Sequence, residues 1–296
     1  MSSPVLQAEG LSKRYRRREA LSDCTLAVPP GRVVGLVGPN GAGKTTLLHI
    51  AVGLLRPTAG SIEVLGGPPA SDAAQLAKVG FVAQDAFIYA GRSVADHLRF
   101  GVYTNPGWDR RLADDRITRI GLDRSQKAGK LSGGQRAQLA LTLAIAKRPD
   151  LLILDEPVAS LDLLARREFL QGLMVFIAEH DAGVILSSHL VSDLERVCDY
   201  LIVLVASRVR LAGEVDDLLA SHYRLTGARH DRADLPTGVE VIEECHTDRQ
   251  ATLIVRSTTP IGGPSFTVEQ LTLEDLVLAY MSQTANDPLP ALETTP

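Results

Sequence analysis

The sequence contains few cysteines and no strong excess of either charge. Its three cysteines, Cys24, Cys198 and Cys245, lie far apart and are odd in number, so neither a disulfide framework nor a zinc site is indicated. We therefore expect a reducing compartment. The net charge of −4 at pH 7 and the isoelectric point near 6.0 provide no general attraction for nucleic acids or anionic membranes. The basic residues between Lys13 and Arg18 form a local cluster, which we interpret as a solvated turn.

Long apolar runs are also missing. The longest, Leu173–Ala178 and Leu201–Ala206, fall far short of the roughly 20 residues that a membrane-spanning helix requires. The first residues, Met1–Glu9, lack the charged and then apolar pattern of a signal peptide. With 296 residues, of which 45% are hydrophobic and 22% charged, the chain is long enough for one large or two smaller domains. We expect a soluble, cytoplasmic protein that acts at a membrane only through a partner.

Turn residues separate short segments that alternate between strand-like and helix-like periodicity, which is typical of a parallel sheet covered by helices. The predicted strands are Val5–Leu11, Ala20–Val28, Arg32–Val37, Ser61–Leu65, Val79–Ala83, Leu151–Leu154, Val184–Ser188 and Leu201–Val205. The predicted helices are one ending near Gly53, Ala70–Lys78, a helical insertion from Ser93 to about Arg148, Leu163–Ile177 and Leu190–Val197. After Ser221 the pattern predicts strands Val239–Cys245 and Ala251–Arg256, a helix Thr267–Met281 and a disordered tail Thr284–Pro296.

The segment Gly38–Thr46 fits the pattern G-x-x-x-x-G-K-[ST] of a phosphate-binding loop. A chance match is expected in roughly one chain in a hundred, but a predicted strand before it and a helical pattern after it supply the context that the motif needs. Glycines let consecutive backbone N–H groups point at a triphosphate. Lys44 would supply a cation for the outer phosphates, and the Thr45 hydroxyl a ligand for Mg²⁺. The predicted nucleotide-binding residues are Gly38, Pro39, Asn40, Gly41, Ala42, Gly43, Lys44, Thr45 and Thr46.

Two carboxylates, Asp155 and Glu156, follow the apolar strand Leu151–Leu154. Ligands of open α/β folds bind at this carboxyl edge of the sheet. Asp155 is therefore a candidate Mg²⁺ ligand, directly or through water. Glu156 is a candidate to orient or deprotonate the water that attacks a terminal phosphate. Two acids at a strand end could also form a solvated turn, but the phosphate loop upstream favours the functional interpretation.

The segment Leu131–Gln135 reads Leu-Ser-Gly-Gly-Gln and opens a predicted helix that continues through Ala137–Ala146. It is a second anion-binding helix terminus in the same chain. With this pentapeptide the sequence resembles the nucleotide-binding subunits of ATP-binding cassette (ABC) transporters over about Val5–Ala220. The implied fold is α/β, a P-loop ATPase of the ABC type with a mixed-sheet core, an antiparallel β subdomain and a helical subdomain at about 92–148. The implied organisation is an ATP-binding domain at 1–220, a small C-terminal α+β module at 221–283 and a disordered tail at 284–296.

The resemblance assigns further site residues, because the family's motifs occur here in the family's order. Gly38–Thr46 corresponds to the Walker A loop and Leu151–Asp155 to the Walker B strand. Gln84 corresponds to the Q-loop glutamine, which implies contact with Mg²⁺ and the attacking water and transmission of the nucleotide state to a membrane subunit. His189 corresponds to the switch histidine at the terminal phosphate, and Tyr15 to the aromatic that stacks on adenine. The implied ligands are ATP and Mg²⁺. The resemblance also implies that the signature residues bind the nucleotide, namely Ser132, Gly133, Gly134 and Gln135.

In this family the signature segment serves the phosphate loop of a second subunit, so the resemblance implies a homo- or heterodimer with two ATP molecules between its subunits. Closure of the dimer would drive a separate integral membrane permease, at the inner face of the cell membrane. Three segments, Thr272–Leu278, Phe87–Trp108 and Ser187–His189, resemble ATPase subunits of ABC-2-type export permeases, so we predict export of a drug, antibiotic, lipid or peptide. Import is the alternative within the class. A soluble ABC ATPase acting on ribosomes or DNA and an inactive regulatory cassette are the others, and no nucleic-acid partner is expected.

Overall fold

A computed structural model describes residues 3–85, 87–228, 235, 238–247, 250–259, 261 and 266–282. The strands are β1 (Leu6–Tyr15), β2 (Arg18–Val28), β3 (Val33–Val37), β4 (Ala59–Val64), β5 (Val79–Val82), β6 (Leu151–Leu154), β7 (Gly183–Ser188), β8 (Tyr200–Val205), β9 (Arg208–Glu214), β10 (His222–Ala228), β11 (Glu240–His246), β12 (Gln250–Arg256) and β13 (Phe266–Gln270). The α-helices are α1 (Lys44–Ala51), α2 (Ala73–Lys78), α3 (Val94–Thr104), α4 (Arg110–Arg119), α5 (Gly133–Ile145), α6 (Leu163–Glu179), α7 (Val215–Ser221) and α8 (Leu273–Ser282).

The centre of the fold is a six-stranded sheet with the order β5-β6-β7-β3-β8-β9. The first five strands run parallel and β9 is antiparallel to β8. Strands β3, β6 and β7 are buried along their whole length, which explains why they read as continuous apolar runs rather than alternating ones. Because parallel strands end on one side of the sheet, the segments that follow β3, β5, β6 and β7 lie at the same edge.

Each face of this sheet packs against a different unit. On one face, α1 and a three-stranded antiparallel sheet of order β2-β1-β4 form a hydrophobic cluster with side chains such as Leu36, Ile153 and Ile202. On the other, α5 and α6 contribute Leu141, Phe169 and Phe176 to a second cluster. The α/β fold class with a mixed sheet and an antiparallel β unit is thus as predicted.

The predicted helical insertion contains α3, α4 and α5, with a hydrophobic cluster of its own. Side chains fix where these helices begin: Ser93 and Asp96 form a reciprocal capping box at α3, and Asp109 caps α4. The start of the signature helix α5 is capped in the same manner by Ser132 and Gln135.

The C-terminal region contains a four-stranded antiparallel sheet of order β11-β12-β10-β13 and helix α8. Leu276, Val277 and Tyr280 of α8 are buried in the same hydrophobic cluster as Leu201 and Val203 of the central sheet. This region therefore shares a core with the preceding residues, and the boundary between residues 220 and 221 stays a prediction.

The helix predicted at Leu190–Val197 is wrong, because only Val191–Asp193 forms a short 3-10 turn. The Ser188 hydroxyl accepts a hydrogen bond from the backbone N–H of Leu190 at 3.0 Å and donates one to the Asp193 carboxylate at 3.3 Å. Such local bonds from side chains offer the backbone an alternative to a helix.

The helix predicted at Thr267–Met281 is wrong in its first part, which is strand β13. Thr267 and Val268 are β-branched and suit a strand, and β13 pairs antiparallel with β10. Helix α8 starts only after Thr272, whose hydroxyl accepts the backbone N–H of Asp275 at 3.1 Å.

The sequence did not predict β9, α7 and β10, and the tail Thr284–Pro296 lies outside the described residues. Within the described ranges, no helix is both long and apolar enough to cross a membrane.

Candidate functional site

A cleft of about 540 Å³ opens at the carboxyl edge of the central sheet. The segments that follow β3, β5, β6 and β7 supply most of its lining, and the β1–β2 hairpin supplies its rim. The lining residues are Tyr15, Arg18, Ala20, Asn40, Gly41, Gly43, Lys44, Thr45, Thr46, Gln84, Glu156, Ala159 and His189. Residues that the sequence places far apart as candidates are thus brought together by the parallel topology.

The loop Gly38–Thr46 packs so closely against its neighbours that two glycines cannot be replaced. A Cβ at Gly38 would lie 2.1 Å from the carbonyl oxygen of Leu204, and one at Gly43, where φ is 111°, would lie 2.3 Å from that of Ala20. Gly43 is the N-cap of α1, and among the described residues no side chain caps the first turn of this helix. The backbone N–H groups at this helix start therefore suit an anion such as a phosphate.

Three titratable side chains form a chain of contacts inside the cleft. Lys44 Nζ donates a hydrogen bond to the carbonyl oxygen of Gly38 at 2.7 Å and lies 3.2 Å from Glu156 Oε1. Glu156 Oε2 lies 2.5 Å from His189 Nδ1. Lys44 and Glu156 are only 6% and 8% exposed, so the contact between their charges is little screened by water.

The carboxylate of Asp155 is fully buried beside Glu156. Its Oδ1 accepts a hydrogen bond from the Ser187 hydroxyl at 2.8 Å, whereas its buried Oδ2 has no hydrogen-bond partner in the part of the chain that the structure describes. A buried carboxylate oxygen without a partner is costly, and binding of a cation would satisfy it. The donor set predicted for Mg²⁺, namely the Thr45 hydroxyl, the Gln84 amide and Asp155, therefore fits a hard cation with oxygen ligands.

Among the described residues no group of three or more His, Cys, Asp and Glu side chains could hold a metal ion by itself.

Several predicted site residues do not line this cleft, namely Gly38, Pro39, Ala42, Asp155 and the four signature residues. Ser132, Gly134 and Gln135 line a different cavity of about 490 Å³, and Gly133 a third of about 320 Å³ that it shares with Gln84. The Ser132 hydroxyl accepts the backbone N–H of Gln135 at 3.2 Å, and the Gln135 side chain accepts the N–H of Ser132 at 2.9 Å. The capped start of α5 therefore lies at these two cavities and not at the cleft.

Tyr15 lies at the rim of the cleft, 43% exposed, with Lys13 Nζ 5.3 Å from its ring centre. The solvated turn predicted for the basic cluster is present at Arg16–Arg17, but the interpretation missed Arg18. Arg18 lines the cleft, and its Nη2 lies 3.5 Å from the carbonyl oxygen of Gly41. The sequence signal that could have identified Arg18 as a cleft residue is its position immediately after Tyr15 and the turn.

Comparison with known proteins identifies relatives over most of the chain. A family described as ABC transporter matches residues 21–159. The chain is 34% identical over 220 residues to the uncharacterized ABC transporter ATP-binding protein YxlF of Bacillus subtilis, with 72% of each chain covered. It is 31% identical over 226 residues to the lipopolysaccharide export system ATP-binding protein LptB of Acidithiobacillus ferridurans, covering 73% of this chain and 93% of that one.

Another relative is an import protein. The molybdenum import ATP-binding protein ModC of Aromatoleum aromaticum is 34% identical over 207 residues, which cover 67% of this chain. The match spans 55% of ModC, about half of its length.

Solved structures give the same result for the fold. An ATP-binding subunit of an ABC transporter superposes with a TM-score of 0.66 at 28% identity, over 73% of this chain and 92% of that one. CbiO1 of Clostridium perfringens, part of the ABC transporter complex CbiONQ, superposes with a TM-score of 0.63 at 26% identity, over 74% of this chain and 92% of that one. These likenesses confirm the predicted fold class.

Proposed function

The chain belongs to the family of ABC transporter ATP-binding subunits, and from this premise we propose that it hydrolyses ATP with Mg²⁺ as a dimer and thereby drives a separate membrane permease. One observation carries the dimer in this proposal. The phosphate loop, Glu156 and His189 line one cleft, whereas Ser132 and Gly134 of the signature segment lie outside it. A second copy that presents its signature segment to this cleft would complete the site.

The proposed role of each residue follows from its place in the cleft. Backbone N–H groups of the Gly38–Thr46 loop and the Lys44 ammonium bind the phosphates, and Thr45, Gln84 and Asp155 hold the metal. Magnesium, when bound, neutralises charge on the outer phosphates. Glu156 accepts the proton of the attacking water and His189 orients Glu156 through their 2.5 Å contact. Tyr15 stacks on the adenine at the rim.

A mixed-dimer experiment tests the shared site. Lys44→Ala disables the phosphate loop and Ser132→Arg blocks the signature segment, so each variant alone should be inactive. When the two are mixed in equal amounts, half of the dimers are mixed and each retains one intact site, which should restore about a quarter of wild-type turnover. Full turnover by Ser132→Arg alone, or by a demonstrably monomeric wild-type protein, would contradict the proposal.

We infer that the permease binds next to Gln84, on a surface formed by the loop after β5 and by α3. This surface carries exposed aromatic side chains, with Phe87 86% and Tyr103 80% exposed, and Tyr89 and Phe100 beside them. Tyr89 and Phe100 also line a shallow groove of about 390 Å³. A group of exposed aromatic side chains marks an interaction site, because monomeric proteins rarely expose large apolar patches to solvent.

Co-purification with membranes tests this surface. Phe87→Ser combined with Tyr103→Ser should release the protein from membranes that contain its permease and leave ATP binding by the isolated subunit unchanged. Leu54→Ser, at an apolar side chain that is also well exposed but lies after α1, is the matched control and should remain bound. Retention of the double variant on the membrane would contradict this surface.

Export is our proposal for the direction of transport, because Thr272–Leu278, Phe87–Trp108 and Ser187–His189 resemble ATPase subunits of export permeases. The relatives named above include both an export and an import protein. Inverted membrane vesicles containing the permease should accumulate substrate when ATP is supplied outside. Accumulation only in right-side-out vesicles loaded with ATP would favour import, and ATP-dependent co-sedimentation with ribosomes without any permease would favour the soluble alternative.

A further inference from the structure

Ser187 is a buried residue to which the proposed chemistry assigns no role. It lies in β7 and its side chain is fully buried. Its hydroxyl accepts a hydrogen bond from the backbone N–H of Glu156 at 2.8 Å and donates one to Asp155 Oδ1, also at 2.8 Å. We propose that Ser187 is a positioning residue that aims the Asp155 carboxylate at the metal and holds the backbone of Glu156. This inference rests on the proposed ATPase function.

The bond to Oδ1 determines which oxygen of Asp155 is available. A hydroxyl has one proton to donate, and here it is given to Oδ1, so rotation of the carboxylate would break this bond. Oδ2, which is buried and has no partner among the described residues, is thereby kept in one orientation. Groups behind a metal ligand commonly fix its orientation in this manner, and their removal weakens metal binding.

The bond from the Glu156 N–H acts on the backbone. Glu156 has a φ of 47°, in the left-handed region that residues other than glycine rarely adopt. Strained conformations of this kind persist only where the surroundings hold them. In this conformation the Glu156 side chain reaches both Lys44 and His189. The Ser187 hydroxyl on β7 therefore holds both the carboxylate of Asp155, the proposed metal ligand, and the backbone of Glu156, the proposed base.

The next residue, Ser188, provides a matched control. It is 3% exposed and its hydroxyl is also bonded on both sides, to Leu190 and Asp193. Neither of these partners is Asp155 or Glu156. Ser188→Ala thus removes an equally buried hydroxyl from the same strand end without touching the Asp155–Glu156 pair.

The test measures metal binding directly, with Mn²⁺ as the probe and a non-hydrolysable ATP analogue present, by electron paramagnetic resonance on the full chain. Ser187→Ala should weaken Mn²⁺ binding by about 10- to 100-fold and lower turnover by a similar factor. Affinity for the analogue without metal should stay close to that of the wild type. Ser187→Cys, which retains volume and a weak donor, should fall between wild type and alanine, and Ser188→Ala should bind Mn²⁺ like the wild type.

Mn²⁺ affinity of Ser187→Ala within about threefold of wild type would overturn the inference, since removal of an orienting partner typically costs more than that. An equal loss in Ser188→Ala would also overturn it, because the effect would then reflect only a buried hydroxyl. If the alanine variant does not fold, the cysteine variant decides between the same outcomes. Failure of the proposed function is distinguishable, because it would appear in the wild type as absence of turnover or of nucleotide-dependent Mn²⁺ binding.

Discussion

Replacement of Glu156 by glutamine tests the proposed base with the smallest change of shape. Glu156 Oε1 lies 3.2 Å from Lys44 Nζ and Oε2 lies 2.5 Å from His189 Nδ1. A glutamine can keep its oxygen towards Lys44 and turn its amide nitrogen towards His189, so ATP binding should persist. It cannot take a proton from water. Loss of a general base lowers the rate by about 10²- to 10⁴-fold, or about 2.7 to 5.4 kcal/mol of activation free energy.

The assay is steady-state phosphate release by the full chain at saturating ATP and Mg²⁺, with size-exclusion chromatography in the same buffer. Glu156→Gln should show the loss of turnover and elute as an ATP-dependent dimer, because the completed site can no longer be emptied by hydrolysis. Glu63→Gln, at an exposed position of β4, makes the same chemical change away from the cleft and should behave as wild type. Turnover of Glu156→Gln within about threefold of wild type would refute the base role.

Three further predictions concern the phosphate loop and the C-terminal region. Gly43→Ala places a Cβ 2.3 Å from a backbone oxygen, so nucleotide binding should be lost and the free energy of unfolding should fall by about 2 kcal/mol, as measured by nucleotide titration and urea denaturation. Burial lowers the pKa of His222 to about 4. The unfolded chain, with the ordinary pKa near 6.5, therefore binds the proton first, and the free energy of unfolding should fall by about 3 kcal/mol between about pH 6.5 and 4. His222→Gln should remove most of that slope in urea titrations at each pH. Tyr280→Phe removes the hydroxyl 3.0 Å from His222 Nε2 and should destabilise the fold by about 1 kcal/mol without changing ATP turnover.

The parts of the site that the sequence predicted are those carried by contiguous motifs. Gly38–Thr46 specifies its own backbone through its glycines and its place between a strand and a helix. Gln84 and His189 each follow a short apolar segment, and parallel strands all end at one edge, so their presence in one cleft follows from the topology. The family resemblance was needed to select Gln84 and His189, and the parallel topology explains why both line the same cleft as the phosphate loop.

The parts that escaped prediction depend on contacts between distant residues. The hydrogen bonds of Ser187 with Asp155 and Glu156 join positions more than 30 residues apart, and the local sequence pattern does not predict them. The apolar spacing at Leu190–Val197 fits a helix, but bonds of the Ser188 hydroxyl hold a turn there instead. β13 is a strand because β10 pairs with it, and β10 was itself not predicted.

The strand order explains why the proposed chemistry needs three separate segments of the chain. β7 lies between β6 and β3, so its end faces both the Asp155–Glu156 pair and the phosphate loop. From this central position Ser187 holds the pair from behind and His189 contacts Glu156 from the side of the cleft. Lys44 contacts Glu156 from the start of α1, the helix that follows β3. Opposite unit charges at its 3.2 Å separation from Glu156 attract by about 5 kcal/mol at an effective dielectric constant of 20, before desolvation is subtracted. An ammonium has three N–H donors, and the two contacts to Gly38 and Glu156 leave one for a phosphate oxygen. The same lysine would thereby contact both a bound phosphate and the proposed base.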